Sequence, residues 1–255
     1  VPRRRLKAVA TAAVLLGVVV AASAQALPSV IEIENLRLEA DGGFRPRTLP
    51  KHQFAPIYFQ GRVEIASRNG TAPEPVRQIV VDFDRDGRLT AGGLPVCRPE
   101  EIANATPVEA RRICGDAEVG SGHVGAIVSL ASGPIPASSP LTLFNGPRLN
   151  GSPTVVLHAQ TTVPGTQTYA IVVPINRRKG EFRYRATLNV PPIAAGFGAI
   201  THVDVKIGRR FVADGKRRSY VAAHCSDGIL RTHGSFTFED GDVINGSVEK
   251  GCRAK

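Results

Sequence analysis

The chain has 255 residues, 42% of them hydrophobic, and a formal net charge of +10, which allows one sizeable core or two small ones. With no Trp and only four Tyr, it lacks the stacking aromatics that sugar-binding sandwiches present. The basic excess is not interleaved with aromatics, which argues against nucleic acid as a partner.

The first 26 residues read as a leader. Arg3, Arg4, Arg5 and Lys7 precede an apolar run from Ala8 to Ala22, and Ala24-Gln25-Ala26 forms an A-x-A cleavage site. This is the pattern of a secretory signal. Lys7 stands where a twin-arginine signal requires an apolar residue, so ordinary secretion is expected. The mature form is predicted to begin near Leu27, to fold as one domain over 27–255, and to carry +6 once the four leader charges are gone. No later stretch is long and apolar enough to span a bilayer as a helix. A secreted or cell-envelope location follows.

Beyond the leader, short segments alternate apolar and polar residues with period two: "IEIENLRLEA", "GRVEIA", "RQIVVDF", then "TVVLHAQ", "YAIVVPI", "EFRYRATLNV", "HVDVKIG", "SYVAAHC", "LRTHGSFTF" and "VINGSVE". In "EFRYRATLNV" the pattern puts Phe182, Tyr184, Ala186, Leu188 and Val190 on one face and the arginines on the other. Asn-Gly or Asp-Gly pairs recur between and within these segments, from Asp41-Gly42 to Asn245-Gly246, each a candidate hairpin turn. The fold class predicted is all-β, an antiparallel β-sandwich.

"DFDRDGRL" is the most suggestive stretch. Asp82, Asp84 and Asp86 occupy the first, third and fifth positions of a calcium loop, Gly87 the sixth and Leu89 the eighth. The twelfth position is Gly93 where a bidentate Glu belongs, and Arg85 and Arg88 oppose a cation. The expected reading is a polar strand edge ending in a turn, with calcium as the only cofactor in question.

Next comes the one helical stretch, "RPEEIANATPVEARRIC", with Ile102, Val108 and Ile113 at loose helical spacing around Pro107. One or two helical turns are predicted inside a loop closed by a disulfide. The four cysteines, Cys97, Cys114, Cys225 and Cys252, suit two disulfides in an oxidising compartment. Three pairings are possible. The sequence-local pairing, Cys97–Cys114 with Cys225–Cys252, is the expected one. The chain from Ser219 reads as a three-strand meander with Cys225 and the terminal segment flanking a common middle strand, and strands two apart are about 10 Å from each other, so Cys252 is required to lie past the sheet.

"GSGHVG" (Gly120–Gly125) matches G-x-G-x-x-G but leads into the strand-like "AIVSL", so it reads as glycines in a tightly packed strand. "ASGPIPASSP" (Ala131–Pro140) is the nearest thing to a linker. Farther on, eleven basic residues stand against three acidic ones between Ile171 and Arg218, a local +8, while Leu27 to Gly120 carries −2. A dipolar molecule is predicted, with Arg177, Arg178, Lys179, Arg183, Arg185, Arg209, Arg210, Lys216, Arg217 and Arg218 as candidate anion contacts for an acidic wall polymer or lipid head groups. His202 and Asp204 fall on one strand face, where a base-and-orienter pair could begin. No Ser sits in a G-x-S-x-G elbow and no Cys is left over for a nucleophile.

"GLPVC" (93–97), "VGSGHVGA" (119–126), "LTLFNGP" (141–147) and "KRRSYVAAHCSDG" (216–228) together resemble a family of exported actinobacterial proteins with four cysteines. The resemblance implies export and a shared disulfide framework. It brings no catalytic residue, ligand or partner with it. The function expected is therefore non-catalytic binding or scaffolding at the cell envelope, with a secreted hydrolase or a calcium-dependent adhesion module as the alternatives.

Overall fold

A computed structural model describes residues 28–255; the expected leader, 1–26, lies outside the described residues. In chain order the elements are β1 (Ser29–Ile33), β2 (Leu36–Arg45), β3 (Thr48–Leu49), β4 (Ala55–Pro56), β5 (Tyr58–Ser67), β6 (Val76–Asp84) and β7 (Gly87–Leu89). Helices α1 (Pro99–Ile102) and α2 (Pro107–Cys114) follow, then β8 (Glu118–Leu130), β9 (Gly133–Asn145), β10 (Thr154–Thr161), β11 (Gln167–Arg177), β12 (Phe182–Asn189) and β13 (Gly198–Ile207). The chain ends with β14 (Arg210–Ala213), β15 (Lys216–Ser219), β16 (Val221–Ala223), β17 (Ile229–Phe238), β18 (Val243–Gly251) and β19 (Arg253–Ala254).

The fold is all-β. Twelve strands form one antiparallel sheet in the order β1-β2-β5-β13-β8-β9-β10-β11-β12-β6-β17-β18. It curls until β1 and β2 at one margin meet β18 at the other, giving a sandwich-like body whose two layers are halves of the same sheet. At this seam Ile31 lies over Gly246, where an added Cβ would come within 2.6 Å of the Ile31 Cδ1. No backbone ladder joins β1 to β18 among the described residues. Side chains seal that part of the seam instead, with Leu36, Leu38, Phe236 and Ile244 in one buried cluster.

Several local expectations change once the pairing is known. Asp41-Gly42 and Asn245-Gly246 make no turns. They lie inside β2 and β18, where their glycines permit close packing across strands. "ASGPIPASSP" is no linker: from Gly133 onward it is the first half of β9, paired with β8. Over this half β9 has no partner on its other side, because β10 pairs only with Thr142–Asn145. Pro134, Pro136 and Pro140 share one parity, so their missing N–H groups all fall on that open edge. "SYVAAHC" does not form a meander with the last two strands. Its β16 pairs with β4 and β7 in a separate small sheet. Phe182 leaves the inward face expected for it, because a bulge between Phe182 and Tyr184 turns it toward His233.

The helical stretch forms as two short helices, α1 and α2. Thr106 and Glu109 make a reciprocal capping box at the start of α2. The pair packs on the outside of β9–β11, burying Ile102, Ala105 and Ala110 against Phe144 and Val156. Val108 and Ile113, read as part of its apolar stripe, face solvent, since Pro107 resets the helical phase. Both sequence-local disulfides form, Cys97–Cys114 and Cys225–Cys252, and they place the chain in an oxidising environment. Cys252 lies just past the end of β18.

The two ends of the body differ. At one end, here the capped end, lie the segments 46–57, 85–97, 146–153, 178–181, 208–228 and 252–255, which include the small sheet, the β14–β15 hairpin and the Cys225–Cys252 bridge. The opposite end has only the turns and loops 34–35, 68–75, 131–132, 162–166, 190–197 and 239–242.

Candidate functional site

The inward faces of the twelve strands are apolar, yet they do not fill the space between them. An eight-stranded closed sheet leaves an interior that side chains just fill, and twelve strands enclose more. The sequence widens the gap with small residues at inward positions, among them Ala40, Gly61, Ala137, Ala159, Ala186 and Gly234. Protein atoms leave a cavity of about 430 Å³ lined almost wholly by carbon, within the size range of ligand pockets. Ala159, Ala186, Leu188 and Val203 are only partly buried although they point inward, because their exposed surface faces this lumen.

The magnitude separates a packing defect from a site. At ~24 cal/mol per Å³, 430 Å³ corresponds to about 10 kcal/mol, comparable with the entire stability of an ordinary domain. A sealed void would carry that cost, so a space of this size is consistent with a site that opens toward solvent or a ligand. The outer face has the reverse character: Arg62, Glu64, Asp204, Lys206, Arg183 and Arg185 point away from the lumen. An apolar inside and a charged outside invert the pattern of a transmembrane barrel. No described helix is long and apolar enough to cross a membrane.

Polar groups meet the lumen in two places. At the end opposite the cap, β9 and β10 splay apart, and Ser139 bridges them by accepting the Gln160 N–H at 2.9 Å. Nearby, the Tyr169 hydroxyl accepts the Ala194 N–H at 3.3 Å, and burial raises this phenol above its usual range. That contact holds the 190–197 loop, in which Ala194 and Ala195 adopt positive φ, beside the lumen. The second place is the seam near the capped end. There β1 has ended, and Lys250 of β18 points inward and reaches the Asp41 carboxylate of β2 at 2.7 Å.

The three aspartates of "DFDRDGRL" are not brought together as ligands. Asp82 forms a two-pronged pair with Arg185 at 2.8 and 2.6 Å. Asp84 accepts the N–H groups of Asp86 and Arg231, both at 2.8 Å, and burial still lifts its carboxyl above the usual range. Asp86 accepts the Ser226 N–H at 2.7 Å and lies 3.4 Å from His224. Each carboxylate thus ties β6 or its following bend to a different partner. Ser226, Asp86 and His224 form the nearest approach to a hydrolytic triad, a grouping that the 137 residues between Asp86 and His224 hid from sequence reading. The Ser226 hydroxyl is buried and bonded to neither partner.

His202 and Asp204 do pair, at 3.2 Å, with His123 and Glu64 at about 4 Å. They lie on the outer face of β13 and β8, away from the lumen. "GSGHVG" is a packing device. A Cβ on Gly122 would run into the Asp204 carbonyl, and one on Gly120 into that of Lys206, so the glycines let β8 press against β13.

Nine of the ten candidate anion contacts gather at the capped end, in the β11–β12 turn and the β14–β15 hairpin. Arg185 is the exception, occupied by Asp82. A second cavity of about 270 Å³ lies there between Arg148 and Arg177. At the opposite end Glu74 faces Glu239, Asp240 and Asp242; burial first and these carboxylates second raise its carboxyl above the usual range. Basic side chains thus gather at the capped end and a carboxylate cluster at the opposite end, but Glu239, Asp240 and Asp242 of that cluster lie outside the 27–120 segment read as acidic. Set against known protein families, curated proteins and solved structures, the chain matches none.

Proposed function

We propose that the protein is an exported, non-catalytic carrier that holds a small apolar molecule in the lumen of its sheet. The observation that carries this reading is the 430 Å³ cavity, opened by small side chains on most of the strands around it. At ~30 Å³ per water-sized group, that space takes about fourteen such groups. A chain of fourteen methylenes would gain on the order of 11 kcal/mol by leaving water, enough to outweigh much of the cost of association. The hydrolase reading has less support, since the His202–Asp204 pair sits on an outer strand face and Ser226 is bonded to neither His224 nor Asp86.

The test is fluorescence titration of the oxidised protein with the neutral reporter N-phenylnaphthylamine. Saturable micromolar binding, abolished when Ala159 and Ala186 are both changed to Leu, is the expected result. Absence of saturable binding by a well-folded protein would overturn the reading.

A second reading concerns the capped end, where the clustered basic side chains suit acidic wall polymers or lipid head groups. Cosedimentation with anionic vesicles but not neutral ones, weakening as salt rises, would support head groups. Retention on an insoluble acidic polymer alone would favour the wall. Binding to neither would remove the basic end from the account.

A further inference from the structure

The polar residues along the lumen are unevenly distributed around the sheet. The charged ones, Asp41, Arg62, Asp84, Arg231 and Lys250, all belong to β2, β5, β6, β17 and β18. From β8 through β13 no charged residue lines the space. The polar side chains at inward positions on those strands are three hydroxyls: Ser139 on β9, Thr161 on β10 and Tyr169 on β11. Strand pairing gathers them at the end opposite the cap. Tyr169 lies opposite Ala159, with Thr161 two positions farther along β10, and Ser139 reaches the same stretch of β10 through the Gln160 N–H. Pro191 and Ile193 of the 190–197 loop line the space beside them.

A hydroxyl has one proton to give and two lone pairs with which to accept. In each of these three the proton is already committed within the protein and one lone pair is filled. Ser139 donates to the Pro140 carbonyl and accepts the Gln160 N–H, both at 2.9 Å. Thr161 donates to the Val163 carbonyl and accepts the Val163 N–H, both at 3.2 Å. Tyr169 donates to Gln167 Oε1 at 2.7 Å and accepts the Ala194 N–H at 3.3 Å. Each oxygen keeps one accepting lone pair and no free proton. Turning any of these hydroxyls to donate to a ligand would give up a bond already made.

We propose that this hydroxyl cluster is the head-group site of the lumen, and that the ligand is a neutral long-chain amphiphile whose head donates a hydrogen bond, as an aliphatic alcohol does. Its chain lies along the apolar strands and its hydroxyl proton is accepted by Tyr169 or Thr161. This inference rests on the carrier reading and adds the ligand class to it. A head that only accepts, such as an ether oxygen, meets oxygens with no proton to offer it. A carboxylate is acceptor and charge at once, and it would leave water with no cation on the strands from β8 through β13 to receive it in the lumen.

The experiment is displacement of N-phenylnaphthylamine from the full oxidised protein at neutral pH by dodecanol, by its methyl ether and by dodecanoate. A hydrogen bond of ordinary net strength corresponds to about fivefold in affinity. Dodecanol is therefore expected to bind about fivefold more tightly than its methyl ether, although the ether has the larger apolar surface, and at least about tenfold more tightly than dodecanoate. Tyr169→Phe and Thr161→Val each remove one acceptor, so each should narrow the ratio of alcohol to ether affinity, and the double variant should narrow it most. Any loosening of the 190–197 loop changes both ligands alike and cancels in that ratio. Should the double variant fail to fold, the same ratio in the two single variants decides. Equal affinities of alcohol and ether in the native protein, dodecanoate binding as tightly as dodecanol, or a ratio unmoved by the substitutions would overturn the head-group site while leaving the lumen as a carrier site. Failure of the reporter and all three ligands to bind would remove the carrier reading, and this inference with it.

Discussion

Replacing Ala186 with Leu distinguishes an unfilled lumen from a packed core by the sign of a stability change. Ala186 sits on β12 opposite Ile175 of β11 and points into the cavity. The added carbons are equivalent to about three methylenes. Burying them in space that is already there should stabilise by about 2.4 kcal/mol, less about 0.5–1 kcal/mol for the lost freedom of the leucine side chain. The net gain is about 1.5 kcal/mol, and for a domain of this size the midpoint should rise by about 3–6 °C. In a filled core the same change forces neighbours aside and costs about 1–3 kcal/mol. Calorimetry of the oxidised protein, with urea unfolding as a check on two-state behaviour, measures the difference. A fall in stability with reporter binding unimpaired would refute the reasoning, because it would mean that Ala186 faces packed atoms.

Four further outcomes follow from named contacts. Removing the Cys225–Cys252 bridge, which spans 27 residues, should cost about 3.6 kcal/mol by loop entropy and weaken reporter binding, since this bridge ties the seam at the capped end. Removing Cys97–Cys114, across 17 residues, should cost about 3.2 kcal/mol and leave reporter binding intact, because the helices lie outside the sheet. Gly122→Ala should destabilise by at least 2 kcal/mol, roughly the scale of backbone strain and overpacking, whereas Gly125→Ala, whose Cβ would sit 3.5 Å from the His202 Cβ, should be tolerated; urea titration of both variants checks this. The pH dependence should bear the mark of His158, which is fully buried with its Nε2 on the Ala105 carbonyl at 3.0 Å and no hydrogen-bond partner for Nδ1 among the described residues. Burial holds its pKa below the ordinary 6.5, so the unfolded chain takes up the proton first. Its contribution to stability is complete above about pH 6.5 and falls as pH drops toward the folded value, by no more than about 1.4 kcal/mol at pH 5.5. That slope should vanish in His158→Leu.

Strand character was legible because it is local. Alternation in 183–190 names the inward Tyr184, Ala186, Leu188 and Val190 correctly, and the capping pair Thr106 and Glu109 lies within one short window. Cysteine spacing pointed to the local pairing, but the strand geometry used to place Cys252 past the last strand assumed a three-strand meander from Ser219 that does not form, since β16 pairs with β4 and β7. Closure of the sheet was not legible, because it depends on β1 meeting β18 across more than two hundred residues, with no turn to mark the contact. The lumen was hidden for the same reason. Ala40, Gly61, Ala159 and Ala186 look like weak strand positions until the pairing shows that all of them face the same space. Lys250 was hidden by its charge, since period two assigns it the inward face and its ammonium argues for the outer one. The structure satisfies both: the side chain starts from an inward position and its ammonium reaches the half-exposed Asp41 of β2.

The architecture explains why the covalent bonds lie where they do. A sheet that keeps 430 Å³ of its interior free of side chains forgoes about 10 kcal/mol of packing, and no enlargement of the core can restore that without filling the site. Stability must come from outside the lumen. The two bridges, at roughly 3.2 and 3.6 kcal/mol, restrict the unfolded chain without occupying any of it. One fastens a helical cap to the outer face of β9–β11, the other draws the end of β18 toward the capped end, and the parallel pairing of β19 with β3 continues that closure. The disulfides and the cavity are in this sense one design, in which an open interior is made compatible with a stable fold by constraints placed around its margin.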